Sequence, residues 1–170
     1  MTAEARRVIE LLGLEPLPLE GGYFRRTYES GIWLDMDGPE GEGRRRRRSA
    51  TAIYYLVTPE SFSAMHRLAS DEIFHFYTGD PVEMLKLYPD GTGEVVTLGP
   101  DLDRGMTPQV VVPRGVWQGT RLVPGGRFAL LGTTVSPGFE YEDYEPGDRE
   151  ALAGQYPAYR TLIEALTRPA

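Results

Sequence analysis

Between residues 23 and 135 the chain is a succession of short β-type runs broken by Gly, Pro and Asp, and this spacing constrains the fold more than any other feature. The runs lie near 23–30, 50–57, 62–68, 72–77, 82–88, 94–98, 109–113, 116–123 and 127–135. They are rich in β-branched, aromatic and aliphatic residues and are too short for ordinary helices. Pro89-Asp90-Gly91 supplies a turn between two of them. Helical periodicity is confined to the ends. Val8, Leu11 and Leu12, with Gly13 as a stop, predict a helix over 3–12. Residues 148–154 and 157–167 are also helical in pattern, with Tyr159, Leu162, Ile163 and Leu166 on one face. Closely spaced strands with helices only at the termini predict an all-β sandwich or barrel. No repeat or long linker divides the chain, so 1–170 reads as one domain with its core at about 20–140. The stretch 35–49 reads as a mobile insertion.

Composition removes several chemistries. The chain has no cysteine, which excludes disulfides, thiolate metal sites and cysteine nucleophiles. With two histidines, any metal site must draw mainly on His, Asp, Glu or Gln. No apolar run approaches the roughly 18–20 residues that span a bilayer, and Met1 to Arg7 lacks the apolar core of a secretory signal. The expectation is a soluble, cytoplasmic protein without a membrane partner. A net charge of −7 argues against a nucleic-acid surface. The exception is Arg44 to Arg48, which reads as a solvated loop pairing with nearby acids rather than a grip on phosphates.

Both histidines, His66 and His75, lie in the segment Ser61 to Gly79, with Asp71 and Glu72 between them. Strand side chains alternate between faces. His66 and Leu68 therefore share one face, and Glu72, Phe74 and Phe76 share another that their apolar character marks as interior. His75 and Tyr77 then point away, as packed or interface residues, unless a bulge resets the register. His66 and Glu72 remain as the candidate pocket pair.

This segment resembles the first motif of the cupin superfamily, with His66 at the first ligand position, Glu72 at the acidic position and Gly79 at the closing glycine. The second cupin motif is matched by Pro113 and Gly115. Leu68 stands where the family has its second histidine, Gln118 where it has the third, and Leu122 where it has an asparagine. The chain is similar in particular to a cupin branch of largely uncharacterised function, at Glu20-Gly-Gly-Tyr-Phe-Arg-Arg-Thr-Tyr28, Thr51 to Leu56, Ser63 to Tyr77, Pro113 to Gln118 and Val135 to Phe139. The resemblance implies a double-stranded β-helix, a jelly-roll barrel with a pocket in its mouth, and a homodimer. It names no reaction.

Two chemistries stay open at this stage. In the first, His66, Glu72 and Gln118 are what the resemblance leaves of a three-histidine site, and they would hold a divalent metal weakly. In the second no cofactor is needed and His66 acts as acid or base. Glu72 would orient it, and Tyr54 or Tyr55 would supply a phenolic proton, only one of the two facing inward. Arg25 or Arg67 would hold an anionic group, although parity puts Arg67 opposite His66. This set resembles the cupins that epimerise nucleotide-linked deoxy-sugars, which pair their histidine with an aspartate. No such partner is identified here. Phe24, Phe74, Phe76 and Gln118 would complete a pocket for a small, carbohydrate-type molecule. Trp117 alternates away from Gln118 and should pack against a covering segment or a second copy. A non-catalytic ligand-binding module is the alternative reading.

Overall fold

The computed structural model describes residues 1–38 and 42–169. Helix α1 (Ala3–Leu12) begins where Thr2 Oγ1 accepts the Ala5 N–H at 3.2 Å and ends at Gly13 in the left-handed conformation. The strands are β1 (Glu15–Pro16), β2 (Tyr23–Glu29), β3 (Trp33–Asp37), β4 (Arg44–Arg48), β5 (Thr51–Val57), β6 (Ser63–Arg67) and β7 (Asp71–Gly79). They continue with β8 (Val82–Leu87), β9 (Gly93–Leu98), β10 (Gln109–Val112), β11 (Trp117–Leu122), β12 (Ala129–Ser136) and β13 (Glu145–Pro146). Helices α2 (Arg149–Gln155) and α3 (Arg160–Ala165) close the described chain. None of the described helices is long and apolar enough to cross a membrane.

Two antiparallel sheets face each other. One has the order β1-β2-β5-β12-β7-β10, the other β13-β6-β11-β8-β9. The closed jelly-roll barrel is therefore corrected: the sheets are separate, and their edges are not joined by a ladder. On one side the edges are β1 and β13, two-residue strands that both end in proline, Pro16 and Pro146. Proline has no N–H to extend a ladder, so pairing stops there. On the other side, β9 meets the segment before β10 in one isolated bridge, Leu98 to Thr107.

Alternation distributes the core. Tyr55, Val57, Phe74, Val110, Val112, Ala129 and Leu131 from the first sheet pack against Val82, Met84, Leu98 and Leu122 from the second. The opposite faces are covered by helices. Met65, Leu85 and Leu87 bury against Leu152, Tyr156, Ile163 and Leu166, and Leu56 and Leu130 bury against the α1 segment. Each fully buried Leu or Ile of this kind stabilises the fold by about 2 kcal/mol relative to exposure. Trp117 packs with the C-terminal cluster, and the Arg67 guanidinium lies over its ring at 4.4 Å.

The stretch expected to be a mobile loop is, over its described residues, a hairpin of β3 and β4; residues 39–41, which the expectation also covered, lie outside the described residues. Its cross-strand partners are Trp33–Arg48, Asp35–Arg46 and Asp37–Arg44. Arg46 and Arg48 also stack over Trp33 at 4.9 and 4.4 Å. The arginine run thus finds its acids, as a paired strand rather than a solvated loop. Opposite charges and cation–π contacts offset the repulsion of five neighbouring cations.

Candidate functional site

The site begins in the tight connection between β1 and β2. Leu17 N donates to Gly22 O at 2.9 Å, and Gly21 N donates back to Leu17 O at 3.1 Å. Leu19, Gly21 and Gly22 all have positive φ, 68°, 100° and 75°. The glycines carry such angles at little cost, whereas Leu19 is strained. Arg168 Nη1 holds Leu19 O at 2.7 Å, and Ala64 N of β6 donates to Glu20 O at 2.9 Å. Clamped in this way, Glu20 is brought against His66: Oε1 lies 3.2 Å from His66 Nε2.

His66 is 1% exposed. Its Nδ1 is 2.7 Å from Ala64 O. A carbonyl only accepts, so Nδ1 carries a proton and the neutral ring turns its lone pair, on Nε2, toward Glu20. The contact therefore holds one proton, either as Glu20 O–H···Nε2 or as a carboxylate–imidazolium pair. Burial favours the neutral arrangement. It raises the Glu20 carboxyl to about 7, and it lowers the His66 imidazole, against the opposing pull of Glu72 and Ala64 O. Tyr144 stacks on the imidazole at 4.9 Å, with 17° between the planes.

Glu72 enters from β7. Burial, then the neighbouring Glu20 charge, raise its carboxyl to about 7, while His66, Gln118 and Thr133 pull the other way. Gln118, 1% exposed, donates Nε2 to Glu72 Oε1 at 2.8 Å. Gln118 and His66 are direct partners on β11 and β6. Glu20, Glu72, Tyr55 and Thr133 line a cavity of about 370 Å³ on the inner face of the first sheet, covered by the 17–20 and 139–144 segments. Its walls include Leu17, Phe24, Ile53, Leu68, Phe139 and Tyr144, so it lies on the side where the β1 and β13 edges stay unpaired. The turn Tyr141–Asp143 forms part of the wall and is held by the arginine strand. Asp143 Oδ1 accepts from Arg45 Nη1 at 2.8 Å, and its two oxygens accept from Arg47 Nη2 and Nε at 2.9 and 2.8 Å.

The sequence candidates separate clearly. Phe24, Tyr55, Leu68 and Glu72 line the cavity; His66 and Gln118 lie directly behind Glu20 and Glu72. Of the two tyrosines Tyr55 is the inward one, and its hydroxyl donates to Gly21 O at 2.6 Å. Tyr54 is on the outer face, edge-on to Tyr77 and beneath Arg25 at 5.6 Å. Arg25 is thus turned away, and Arg26 lines the cavity instead, donating to Phe139 O and Glu29. Phe74 and Phe76 belong to the inter-sheet core rather than the cavity wall. Arg67 pairs bidentately with Glu145 outside the cavity, at 2.6 and 2.9 Å. His75 faces outward and contacts Thr134 Oγ1 at 3.3 Å. A register shift at Leu130/Leu131 resets β7 only beyond His75. Sequence reasoning assigned no role to Glu20 or Tyr144. The signal for Glu20 was an acid directly before two glycines; for Tyr144 there was none.

The three metal candidates do not form the donor set of a metal centre. His66 Nδ1 is committed to Ala64 O, and Nε2 faces Glu20. Gln118 turns an N–H, which cannot ligate, toward Glu72, and Leu68 has no donor atom. Among the described residues, no group of three or more His, Cys, Asp or Glu side chains is arranged to hold a metal ion.

Comparison with known proteins gives one consistent picture. The family model described as cupin superfamily (DUF985) matches residues 6–146. The uncharacterised protein YML079W of Saccharomyces cerevisiae is 32% identical over 133 residues, covering 74% of this chain; the match spans 66% of the yeast protein, just under two thirds of its length. The crystal structure of protein SO0799 from Shewanella oneidensis is 32% identical, with a TM-score of 0.84 over 100% of this chain and 99% of that one. Likeness of fold alone extends to oxalate decarboxylase of Bacillus subtilis, at 12% identity and a TM-score of 0.53, over 90% of this chain and 37% of that one.

Proposed function

We propose that this chain, which belongs to the DUF985 family of the cupin superfamily, binds a small molecule in the cavity on the inner face of its first sheet and moves a proton to or from it. The observation that carries this reading is the one-proton contact between Glu20 Oε1 and His66 Nε2 at the cavity wall. Glu20 faces the cavity and His66 lies behind it, so the carboxyl is the group that meets the ligand and the imidazole is its proton store. A carboxyl raised to about 7 is close to half ionised at neutral pH and serves equally as acid and base.

The reaction class best suited to these parts is proton exchange at a carbon next to a carbonyl, as in an isomerase or epimerase. Ionised Glu20 takes the proton, and His66 Nε2 accepts it while Nδ1–H stays on Ala64 O. Glu20 returns that proton to the neighbouring atom in an isomerisation; in an epimerisation a water in the cavity protonates the opposite face of the carbon, and the hydroxide left behind takes up the proton stored on His66. No step runs through a metal, because the donor set does not fit one. Tyr55 keeps its hydroxyl proton on Gly21 O and serves to hold the Glu20 loop.

Solvent exchange in D2O with a panel of keto-sugars and small ketones, read by mass spectrometry, tests the reading. Deuterium uptake that Glu20→Gln and His66→Gln each reduce by about 100-fold supports it. No uptake by the unaltered protein, or uptake indifferent to Glu20→Gln, overturns it. Ligand-dependent thermal stabilisation without exchange would instead identify a binding module.

A further inference from the structure

We propose that the group recognised in this cavity is an organic cation, an ammonium on a compact ring-bearing body, held by Glu72. The inference deepens the small-molecule reading above and rests on the same cavity.

Two carboxyls, Glu20 and Glu72, enter one largely apolar cavity. Among the described residues neither is paired with a lysine or arginine: Glu20 meets His66, and Glu72 meets the Gln118 amide. The cation nearest to them in the lining, Arg26, is engaged by Glu29 and Phe139 O. Carboxyls buried without a cation are held protonated at a cost, and a ligand that brings the missing charge lets them ionise. A second, independent observation points to a bound group. Thr133 lines the cavity beside Glu72 and is 3% exposed; its Oγ1 approaches that carboxyl and pulls its pKa down, but makes no hydrogen bond of ordinary geometry to any of the described residues. Buried polar atoms left without partners are rare unless something else satisfies them. An ammonium has three N–H donors and no acceptor, which matches a carboxylate and an unpartnered hydroxyl better than a neutral hydroxyl ligand does.

The walls suit the rest of such a molecule. Phe24, Tyr55, Phe139, Tyr141 and Tyr144 all line the cavity. Aromatic faces attract an organic cation, more strongly when it is desolvated. An anionic ligand would meet two like charges, and a neutral polyol would leave the carboxyls protonated. Glu72 would hold the cation while the Glu20–His66 pair remains the proton-moving element.

The pH dependence is specific. Glu72 is faced by Glu20 from the β1–β2 connection, His66 from β6, Gln118 from β11, Thr133 from β12 and the Tyr55 hydroxyl from β5. Of these only Glu20 and Glu72 change charge near neutrality, both at about 7. An alkylammonium keeps its charge through this range, so its affinity rises with pH as the carboxyls ionise.

Calorimetric titration with 2-phenylethylamine, 2-phenylethanol and phenylacetate tests the proposal, since the three differ in the charge of the polar group. The amine is expected to bind at least about tenfold more tightly than the alcohol, with phenylacetate weakest. Its affinity should rise roughly tenfold from about pH 6 to about pH 8. Glu72→Gln, which keeps the shape of the side chain, should abolish the preference for the amine. Equal or tighter binding of the alcohol or the acid overturns the proposal. So does failure of the amine to bind, an affinity independent of pH in the unaltered protein, or a preference that survives Glu72→Gln. The pH series needs no variant, so it decides even if the substitution impairs folding. Binding is read without turnover, so failure here leaves the deuterium-exchange result standing, and the reverse holds too.

Discussion

Replacing Glu72 by Gln should make the protein more stable at alkaline pH and leave it nearly unchanged at acid pH. In the folded protein the Glu72 carboxyl is raised from 4.5 to about 7, chiefly by burial and then by Glu20. The folded state therefore binds this proton more tightly than the unfolded state does. The stability so gained is fully present below about pH 4.5, and it is lost as the pH rises through about 7. A difference of this size corresponds to roughly 3 kcal/mol between the two ends of the window, an upper figure because Glu20 titrates with it. Gln cannot ionise, it fills the same space, and its carbonyl still accepts the Gln118 N–H. The variant should thus match the unaltered protein near pH 5 and exceed its unfolding free energy by about 2–3 kcal/mol near pH 8. Urea titrations across that range, followed by the fluorescence of Trp33 and Trp117, measure this directly. Parallel pH profiles for the two proteins would refute the reasoning, because they would mean that Glu72 ionises in the fold as easily as in the unfolded chain.

Two further perturbations probe the frame around the cavity. Asp143→Ala removes the bidentate acceptor of Arg47, whose side chain is 6% exposed, and leaves it only the exposed Glu142 at 2.7 Å; it should cost about 2 kcal/mol in urea unfolding. It should also weaken ligand-dependent stabilisation, since the turn it anchors carries Tyr141 and leads into Tyr144; unchanged ligand stabilisation would detach the arginine strand from the site. Gly22→Ala places a Cβ 2.6 Å from Tyr55 Oη and 2.9 Å from Leu56 O at a φ of 75°. A loss of about 2 kcal/mol or more in thermal unfolding is expected, and a loss under about 0.5 kcal/mol would show that the loop shifts to accommodate it.

Much of the fold was legible because it is written in local pattern. The nine runs read as strands coincide with strands, and α1 spans the residues its periodicity marks, Ala3–Leu12. Parity put Tyr54 and Tyr55 on opposite faces without choosing the inward one, and turned His75 away from Glu72, since alternation on a pleated strand is a local property. The hairpin of β3 and β4 was not legible. Five arginines carry no apolar alternation, and their strand is sustained by its backbone ladder with β3, by Trp33 against Arg46 and Arg48, and by the distant Asp143.

The site shows where pattern stops. The inward direction of Glu72 followed from alternation along its strand, because side-chain direction is set by neighbours in the chain, whereas Gln118 was marked only by the cupin resemblance. The pairing of Glu20 with His66 could not be read in either way. It joins a loop to a strand through backbone bonds from Ala64 and a clamp from Arg168, and no local rule brings those segments together. The open edges beside the cavity were likewise settled in three dimensions. Pro16 and Pro146 are visible in the sequence, but only the topology puts both on edge strands, where a missing N–H donor stops the ladder beside the cavity.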